Sequence, residues 1–403
     1  MSMPKLNAEY LNEHCHCSTL DKSKIEHAHY FSQHPHFLSL NDLHQMQAFI
    51  EAHERLLGVG LNLPLKAVER GIFNSYDFHI SDNGPQLIEI NTNAAGALLG
   101  LHAEKEMMQC CEGLPGYLSH PGFAFDSGKI VEMFRREFAL RFPGRPLGRV
   151  AIVDENPREQ FFYSEFVLVQ QMLQSHGIDA VIVAPEALSI RENIPHANEL
   201  PFDNAPLRRP DDGSQGRPVD FIYNRLTDFA LEQPSSATLK QIYDQGLATV
   251  SPNPAVHSLY ANKANLTLFW SDAATNMAQT DLATVRAHLP ETVFVTAANA
   301  DMLWSHKKEW FFKPVDGYGG KGVYRGDKLT TKVWQHIIAG NYIAQRYVAP
   351  RTRQVSGETS LKYDVRVYTY AGEILGLMAR YYQGQTTNFR TEHGGLAGVL
   401  VMR

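Results

Sequence analysis

Apolar and polar positions alternate in two distinct ways near the start of the chain. Over residues 39–57 the apolar side chains recur every three or four positions, which predicts an amphipathic helix. Residues 65–73 predict a second, shorter helix. Residues 76–80 and 86–91 instead alternate with a period of two, and the polar sequence between them ends in Gly84. This pattern predicts a β-hairpin.

Strands and helices alternate in the middle of the chain, which is typical of a parallel sheet covered by helices. The predicted elements are helix 128–141, a linker at 142–146, strand 149–153, helix 159–176, strand 180–184 and strand 219–224. We place the end of this small α/β domain near Pro254. From Asn262 onward the pattern predicts one helix followed by mainly strand-like segments.

Length, composition and charge limit the class of protein. The chain has 403 residues, 44% of them hydrophobic, and a formal net charge of −6. The length predicts two or three domains. The mild acidity excludes a generally basic nucleic-acid binder. No apolar run reaches the roughly 18 residues that a bilayer crossing needs. Residues 1–5 also lack the apolar core of a secretory signal. We therefore expect a soluble cytoplasmic protein with no nucleic-acid or membrane partner.

The cysteines and histidines are concentrated in a few places. Cys15 and Cys17 are nearly adjacent, and Cys110 and Cys111 are vicinal, which favours free thiols in a reducing compartment. Residues 14–17 read His-Cys-His-Cys, which resembles a soft-metal ligand cluster, but no second half at a zinc-site spacing is evident. The interpretation we favour is a polar segment that happens to be rich in histidine.

The strongest local signal for chemistry is the glycine-rich segment 310–324. Glycines let backbone N–H groups approach a phosphate closely, and lysines add positive charge for its oxygens. The spacing also fits G-x-G-x-x-G, but a dinucleotide site needs a helix directly afterwards, and residues 323–327 continue as strand and turn. A hairpin lying over nucleotide phosphates fits better. The alternative is an exposed hairpin that uses glycine only to turn. The candidate residues are Lys313, Gly317, Gly319, Gly320, Lys321 and Gly322.

Two further strand-like segments carry polar residues. Residues 342–350 run from apolar positions to a proline, which is typical of an edge or hinge strand whose backbone could pair with an adenine edge. Residues 363–370 alternate cleanly, so Asp364 and Arg366 share one face, and the returning segment carries Arg380. For Asp364 and Arg366 the alternative is an ion pair on a solvated sheet face.

The hairpin near the N-terminus presents oxygen ligands. Asp77 lies on one strand, and Glu89 and Asn91 lie two positions apart on its partner, on a shared side. Oxygen-only ligands suit Mg²⁺, which typically binds one or two carboxylates together with substrate phosphates. The alternative is a hydrated sheet face that happens to hold two acids.

In their joint order these residues resemble the ATP-grasp family, specifically glutathione synthetase and D-alanine:D-alanine ligase. The matching positions are Lys263, Lys313 with the glycine loop, Gln345 to Val348, Asp364 to Val367, Arg380, and Asn388 with Gly394 and Gly395. The family's last elements, an aspartate strand and then E-x-N, are found instead at Asp77 and residues 89–91. The resemblance therefore implies a mixed α/β and α+β chain: a circularly permuted ATP-grasp fold with a preceding Rossmann-like α/β domain.

The resemblance also implies a division of the chain into four regions. They are a helical, His-rich extension at 1–60, the permuted part with its metal-binding hairpin at 61–145, an α/β substrate domain at 146–258, and nucleotide-binding subdomains at 259–403.

The implied activity is ATP-dependent ligation of a small-molecule carboxylate, amino-acid or peptide-like, to an amine through an acyl phosphate. Two alternatives stay open: an ATP-binding regulatory protein without catalysis, and a phosphotransferase on the same fold. The implied site has Gln345, Tyr347 and Val348 at adenine, Lys263 and Lys313 at the phosphates, and Asp77, Glu89 and Asn91 at Mg²⁺. It also has Asp364 and Asn388 in the nucleotide site, Arg380 at an acyl phosphate, and Arg225 at a substrate carboxylate.

Overall fold

The computed structural model describes residues 30–32, 35–60, 69–101, 126–198, 216–317, 320–356, 359–384 and 394–402. The strands within these ranges, β1 to β18, are His36–Ser39, Asn74–Ser81, Gly84–Asn91, Arg149–Val153, Asp179–Val183, Leu188–Arg191, Ile194–Ala197, Arg217–Pro218, Phe221–Asn224, Thr249–Ser251, Thr292–Phe294, Trp310–Pro314, Tyr324–Arg325, Tyr342–Arg346, Thr352–Ser356, Thr359–Tyr370, Glu373–Tyr382 and Gly395–Met402. The α-helices, α1 to α9, are Leu40–Gly60, Ser127–Arg141, Tyr163–Ser175, Ala237–Gln245, Pro254–Tyr260, Asn265–Leu268, Gln279–His288, Ala300–Ser305 and Thr331–Ala339.

The largest sheet joins strands from both ends of the chain. Its order is β1-β18-β17-β16-β2-β3, with β15 paired to the first residues of β16. The predicted hairpin is confirmed as β2 and β3, and β2 pairs antiparallel with the later residues of β16. The N-terminal hairpin and the C-terminal strands therefore share one sheet and one set of ladder hydrogen bonds.

The predicted amphipathic helix is confirmed as α1. It begins after Ser39, whose hydroxyl accepts a hydrogen bond from the Asp42 N–H at 3.0 Å, which satisfies one of the unpaired donors of the first turn. The apolar stripe of the helix lies against one face of the largest sheet and is fully buried there. The stripe consists of Leu43, Met46, Phe49 and Ile50. This packing leaves the opposite face of the sheet for the residues described below.

The predicted small parallel sheet is also confirmed. Its order is β10-β9-β4-β5, and every neighbouring pair is parallel. Its strands are almost wholly apolar, as expected when helices cover both faces. Phe134 of α2 and Phe166 of α3 lie in the core on one face, and Ile242 of α4 lies on the other.

A second antiparallel sheet has the order β11-β14-β12-β13. Its core contains Trp310 and Phe312 of β12, packed with Leu303 of α8 and with Trp334 and Ile337 of α9. The expectation of mainly strands after residue 262 was incomplete, because α7, α8 and α9 also lie there. Each is short and buries only two residues, so its helical period is hard to detect in the sequence.

The prediction of a helix at 65–73 is wrong for the residues that the structure describes. Residues 69–73 form an irregular turn in which Gly71 and Phe73 have φ angles of 87° and 53°. The N–H groups of Arg70 and Gly71 donate to the buried carboxylate of Glu137, at 3.0 and 2.8 Å. These bonds replace the intrahelical bonds that the sequence pattern led us to expect. Residues 65–68 lie outside the described ranges.

None of the described helices combines the length and the hydropathy needed to span a membrane.

Candidate functional site

A cavity of about 500 Å³ lies where the parallel sheet meets the largest sheet and the sheet β11-β14-β12-β13. It is lined by both charged and aromatic side chains. The structure brings most of the predicted site residues to this one space. Those lining it are Asp77, Glu89, Asn91, Arg225, Lys263, Lys313, Gly317, Gly320, Gln345, Tyr347, Val348, Asp364 and Arg380.

Two buried lysines enter the cavity from different elements. Lys313 lies on β12, and its Nζ donates to Gln345 Oε1 at 2.8 Å and to the Ile88 carbonyl at 2.7 Å. Lys263 lies between α5 and α6; its Nζ is 3.2 Å from Glu89 Oε1 and donates to the Gly317 carbonyl at 2.7 Å. Both cations therefore converge on strand β3.

Burial changes the chemistry of Lys313. Desolvation lowers the pKa of its ammonium from 10.5 to about 8, with the nearby Lys263 adding to the effect and Glu89 and Asp77 opposing it. A buried ammonium with few acidic neighbours is costly. An anion placed between the two lysines would remove that cost.

Three neighbouring strands hold a buried network of two aspartates and two arginines. Asp77 on β2 accepts two hydrogen bonds from Arg366 on β16, both at 2.7 Å. Arg380 on β17 donates to Asp77 Oδ2 at 2.8 Å and to Asp364 Oδ1 at 2.5 Å. Burial alone would raise the pKa of Asp77, but Arg366 and Arg380 outweigh it and hold the pKa below its usual value.

The network answers the question left open for Asp364 and Arg366. They do share a face, but that face is covered rather than solvated, since both residues are buried. They also do not pair with each other: Arg366 pairs with Asp77, its direct cross-strand neighbour, and Asp364 pairs with Arg380. The period of two predicted that Asp364 and Arg366 share a face. Which residue each of them pairs with depends on the order of the strands in the sheet.

The three predicted metal ligands are not equivalent in the structure. Both oxygens of Asp77 already accept hydrogen bonds from arginine. Asn91 donates its Nδ2 to Asp77 Oδ2 at 3.1 Å, which leaves the Asn91 amide oxygen as an acceptor for other groups. Glu89 is partly exposed at the cavity. The described residues hold no cluster of three or more His, Cys, Asp or Glu side chains suited to a metal. Glu89 and Asn91 together fit Mg²⁺, which needs few protein ligands when phosphates and waters supply the rest.

The predicted hinge strand is β14, and it lies inside its sheet between β11 and β12 rather than at an edge. The side-chain Nε2 of Gln345 donates to Thr292 Oγ1 at 3.2 Å, and its Oε1 accepts a hydrogen bond from Lys313 Nζ. The two bonds fix the orientation of the Gln345 amide. The Val348 carbonyl lies 2.9 Å from His79 Nδ1, and His79 Nε2 lies 3.2 Å from the Tyr382 hydroxyl. These contacts tie the segment after β14 to the hairpin.

The glycine-rich segment lies between β12 and β13, which pair antiparallel. Gly322 has a φ angle of 69°, and a Cβ there would lie 3.1 Å from the Tyr342 hydroxyl. A Cβ on Gly317 would lie 2.6 Å from Pro314 Cγ. Both glycines are therefore needed for the turn itself, whatever it binds.

Some predicted residues are not placed at the cavity. Lys321 is exposed, and neither it nor Gly322 is among the residues that line the cavity. Gly319 and Asn388 lie outside the described residues, as do the His-Cys-His-Cys segment at 14–17 and all four cysteines.

Several residues that line the cavity were missed as site candidates or given a different role. Among them are His79, Asn93, Asp154 and Arg366. His79 follows Asp77 by two positions on one strand, so its place on the shared face could have been read from the period of two. Asp154 directly follows a buried apolar strand, and that position at the carboxyl end of a parallel strand is also a readable signal.

Comparisons with known proteins bear on the fold. No protein-family model matches the chain, and no match is found among curated proteins. A glutathione synthetase-like effector, GSS30, from Globodera pallida matches in structure with a TM-score of 0.56 and 9% identity, over 92% of this chain and 90% of the other. A putative gamma-glutamylcysteine synthetase from Methylobacillus flagellatus KT gives a TM-score of 0.47 and 13% identity, over 91% and 89%. The ATP-grasp ligase PsnB, complexed with a minimal precursor, gives 0.32 and 10%, over 63% and 90%.

The likeness to the effector shows a shared fold along nearly the whole of both chains. The predicted fold is thereby confirmed as a mixed α/β, ATP-grasp-like fold of the kind seen in glutathione synthetase-like proteins. At this sequence identity the likeness concerns the fold alone. The circular permutation, the domain boundaries and the roles of individual residues stay predictions.

Proposed function

We propose that the protein is an ATP-dependent ligase that joins a carboxylate to an amine through an acyl phosphate. The observation that supports this best is the convergence of Lys263 and Lys313 on Glu89 inside the cavity. Two largely desolvated ammonium groups whose nearby ion-pair partner is Glu89, while Asp77 is already bonded to two arginines, favour a polyanionic ligand. The confirmed fold agrees with this activity.

In this proposal the triphosphate lies between Lys263 and Lys313. Phosphoryl transfer depends on positioning and charge neutralisation more than on covalent chemistry. Both lysines are held by carbonyl oxygens or carboxylates, so they are pre-positioned. Gly317 and Gly320, which line the cavity, are assigned to the phosphates.

We assign Mg²⁺ to Glu89 and Asn91, with Asp77 positioning Asn91 through the 3.1 Å hydrogen bond. When bound there, the ion would neutralise part of the negative charge of the phosphates. A role for Asp77 as a direct ligand, as the sequence alone implied, would require it to give up buried hydrogen bonds to Arg366 and Arg380. We therefore propose a positioning role for Asp77.

Adenine is assigned to the end of β14 and the residues that follow it. Gln345, Tyr347 and Val348 line the cavity. No described residue accepts a hydrogen bond from the Val348 N–H, so it is free to donate to a base edge. His79 holds the adjacent carbonyl in place.

Arg380 and Arg225 are assigned to groups other than ATP, namely the acyl phosphate and a substrate carboxylate. Arg380 uses Nε and Nη2 within the aspartate network, and its Nη1 has no acceptor among the described residues, so it can stabilise an acyl phosphate. Arg225 lies at the far side of the cavity, with the parallel sheet, where it can hold a substrate carboxylate. The substrates we expect are small molecules, amino-acid or peptide-like.

The test is release of ADP and phosphate from Mg·ATP with panels of amino acids and short peptides, with and without hydroxylamine. We expect acceptor-dependent turnover and trapping of an acyl hydroxamate. Tight Mg·ATP binding without turnover on any acceptor would instead support a regulatory ATP-binding protein. Phosphohistidine or a phosphorylated hydroxyl, detected by mass spectrometry, would support a phosphotransferase.

A further inference from the structure

The carboxyl end of the parallel sheet opens into the cavity. Asp154 directly follows β4, and Arg225 directly follows β9. These two strands are parallel neighbours in register, with Val153 opposite Asn224, so the next residue on each lies at the same edge. In open α/β sheets, ligands bind outside the carboxyl ends of the strands.

Arg225 is buried, and only part of its hydrogen-bonding capacity is used. Its Nη1 donates to Asn93 Oδ1 and, at 3.3 Å, to the Tyr223 hydroxyl. Nε and Nη2 have no acceptor among the described residues. Its guanidinium lies over the rings of Tyr223 and Phe166, at 5.3 and 5.7 Å. Nε and Nη2 form the edge of a guanidinium that binds a carboxylate with two parallel hydrogen bonds.

Asp154 supplies the opposite charge. It is only 9% exposed, and its Oδ1 accepts the Glu155 N–H at 2.8 Å, whereas no described residue donates to Oδ2. Asp154 and Arg225 form no ion pair with each other, although each influences the other electrostatically. Burial raises the pKa of Asp154 to about 6, with Arg225 opposing the rise, so the carboxylate is still largely ionised at neutral pH.

Aromatic side chains also line the cavity that this pair faces. Phe161, Phe162, Phe166 and Phe229 all line the cavity. Phe161 is 39% exposed although it is large and apolar, and Phe229 stacks on His257 with ring centroids 3.9 Å apart. A guanidinium and a carboxylate that each keep unused hydrogen-bonding capacity, in a cavity with aromatic side chains, match the two charges and the apolar side chain of one small molecule.

We infer that this edge of the sheet binds an α-amino acid with an apolar or aromatic side chain, as the amine substrate of the ligase. Arg225 holds its carboxylate, Asp154 holds its ammonium, and the phenylalanines contact its side chain. The inference rests on the proposed function, since it names one substrate of that reaction. For the reaction the ammonium must first lose a proton, which Oδ2 of Asp154 can accept. The neutral amine then forms the C–N bond at the acyl phosphate, and phosphate leaves with the electron pair of the broken C–O bond.

Equilibrium binding by calorimetry tests this without turnover. The probes are L-phenylalanine, L-leucine, L-glutamate and L-lysine, and also 3-phenylpropionate and phenethylamine, which lack the ammonium and the carboxylate of phenylalanine. Each is titrated into the full chain alone and with Mg²⁺ and a non-hydrolysable ATP analogue. We expect phenylalanine or leucine to bind at least about tenfold more tightly than the charged amino acids and than both truncated probes, because each lost charged hydrogen bond is worth about 1.5 kcal/mol or more. Equal binding of all probes, or no binding in either state, would overturn the inference.

Protein variants make the assignment specific. In Asp154→Asn we expect phenylalanine to bind only as tightly as 3-phenylpropionate does. The affinity for 3-phenylpropionate itself should be the same as in the wild type. In Arg225→Gln we likewise expect phenylalanine to bind only as tightly as phenethylamine does. Asp244→Asn, an exposed carboxylate on α4, is the control and should bind as wild type. If Arg225→Gln does not fold, the truncated probes on the wild-type chain still decide the question.

The inference and the proposed function fail in different ways. Amino-acid binding with the predicted charge dependence, but no ATP-dependent turnover, would support the site and overturn the ligase. Turnover with another class of amine, together with no amino-acid binding, would support the ligase and overturn the site.

Discussion

Asp77 and Arg366 lie directly opposite each other on adjacent antiparallel strands, joined by two hydrogen bonds of 2.7 Å. One comes from the N-terminal hairpin and the other from a strand 289 residues later. Both are buried, and Arg380 connects them to Asp364 on the same face. This ion network fixes the hairpin, with its cavity-facing Glu89 and Asn91, onto the C-terminal strands.

Removing the charge of Asp77 should destabilise the fold. Asp77→Asn leaves Arg366 and Arg380 with an uncompensated buried charge, so we expect the free energy of unfolding to fall by about 3 kcal/mol at pH 7. Urea denaturation followed by circular dichroism measures this. The matched control is Glu373→Gln, which breaks an exposed pair with Arg136 and should change stability by less than about 1 kcal/mol. Equal effects of the two variants would contradict the importance of burial.

The effect of Asp77→Asn on the free energy of unfolding should also depend on pH. The folded-state pKa of Asp77 is below its usual 3.8, because Arg366 and Arg380 outweigh the effect of burial. Its contribution is therefore fully present above about pH 4 and lost as pH falls toward the folded pKa. We expect the stability difference between wild type and Asp77→Asn to be constant from pH 7 to 5 and to shrink below pH 4. A difference that grows on acidification would show that the pKa is raised instead.

Nucleotide binding should depend on the charge of Lys313. Since burial lowers its pKa to about 8, Lys313 loses its proton in the free protein above that pH. Binding of an ATP analogue should then weaken as pH rises from 8 to 9.5 and should take up a proton, as measured by calorimetry in two buffers of different ionisation enthalpy. Lys313→Arg stays charged in this range, so its affinity should be flat.

Loss of the Lys313 charge altogether should abolish activity without unfolding the chain. In Lys313→Met we expect ATP-dependent turnover to fall at least about a hundredfold, while the urea midpoint stays equal or rises, because a costly buried charge is removed. Lys308→Met, on an exposed neighbour, should retain wild-type turnover. Comparable losses in both variants would argue against a specific phosphate contact.

The N-terminal hairpin should be part of the nucleotide site. Changing both Glu89 and Asn91 to Ala is expected to abolish Mg·ATP-dependent activity and to weaken Mg²⁺ binding in the presence of an ATP analogue, with the circular dichroism spectrum unchanged. Asp82→Asn removes a fully exposed carboxylate from the turn of the same hairpin and serves as the control. Full activity of the double variant would falsify the assignment of the hairpin to this site.

His79 should affect ATP affinity more than chemistry. Burial lowers its pKa to about 4, so it is neutral at pH 7, and its bond to the Val348 carbonyl positions the proposed adenine contact. In His79→Phe we expect KM for ATP to rise about tenfold while kcat changes little. His288→Phe breaks a similar bond to the Pro85 carbonyl, away from the cavity, and should leave both constants unchanged. A fall in kcat alone for His79→Phe would contradict the positioning role.

Local periodicity and glycine chemistry predicted a large part of this molecule. The helix α1, the hairpin β2 and β3, and the strands β4, β5 and β9 follow from the spacing of apolar residues, because each element buries one face or both. The ordered series of lysine, glycine, aspartate and arginine positions predicted the fold, and most of the site residues named from it line the cavity. The short helices α7 to α9 escaped detection because each spans only about two or three turns and buries only two residues.

Contacts between distant segments were decided only by the tertiary structure. The period of two placed Asp364 and Arg366 on one face, but only the pairing of β2 with β16 gives Arg366 its partner Asp77. Only the register of β4 against β9 brings Asp154 beside Arg225. The sequence by itself determined which residues share a face, since that depends on backbone geometry within one element. Which faces meet, and therefore which charges are buried together, depends on strand order and packing, which no local pattern encodes.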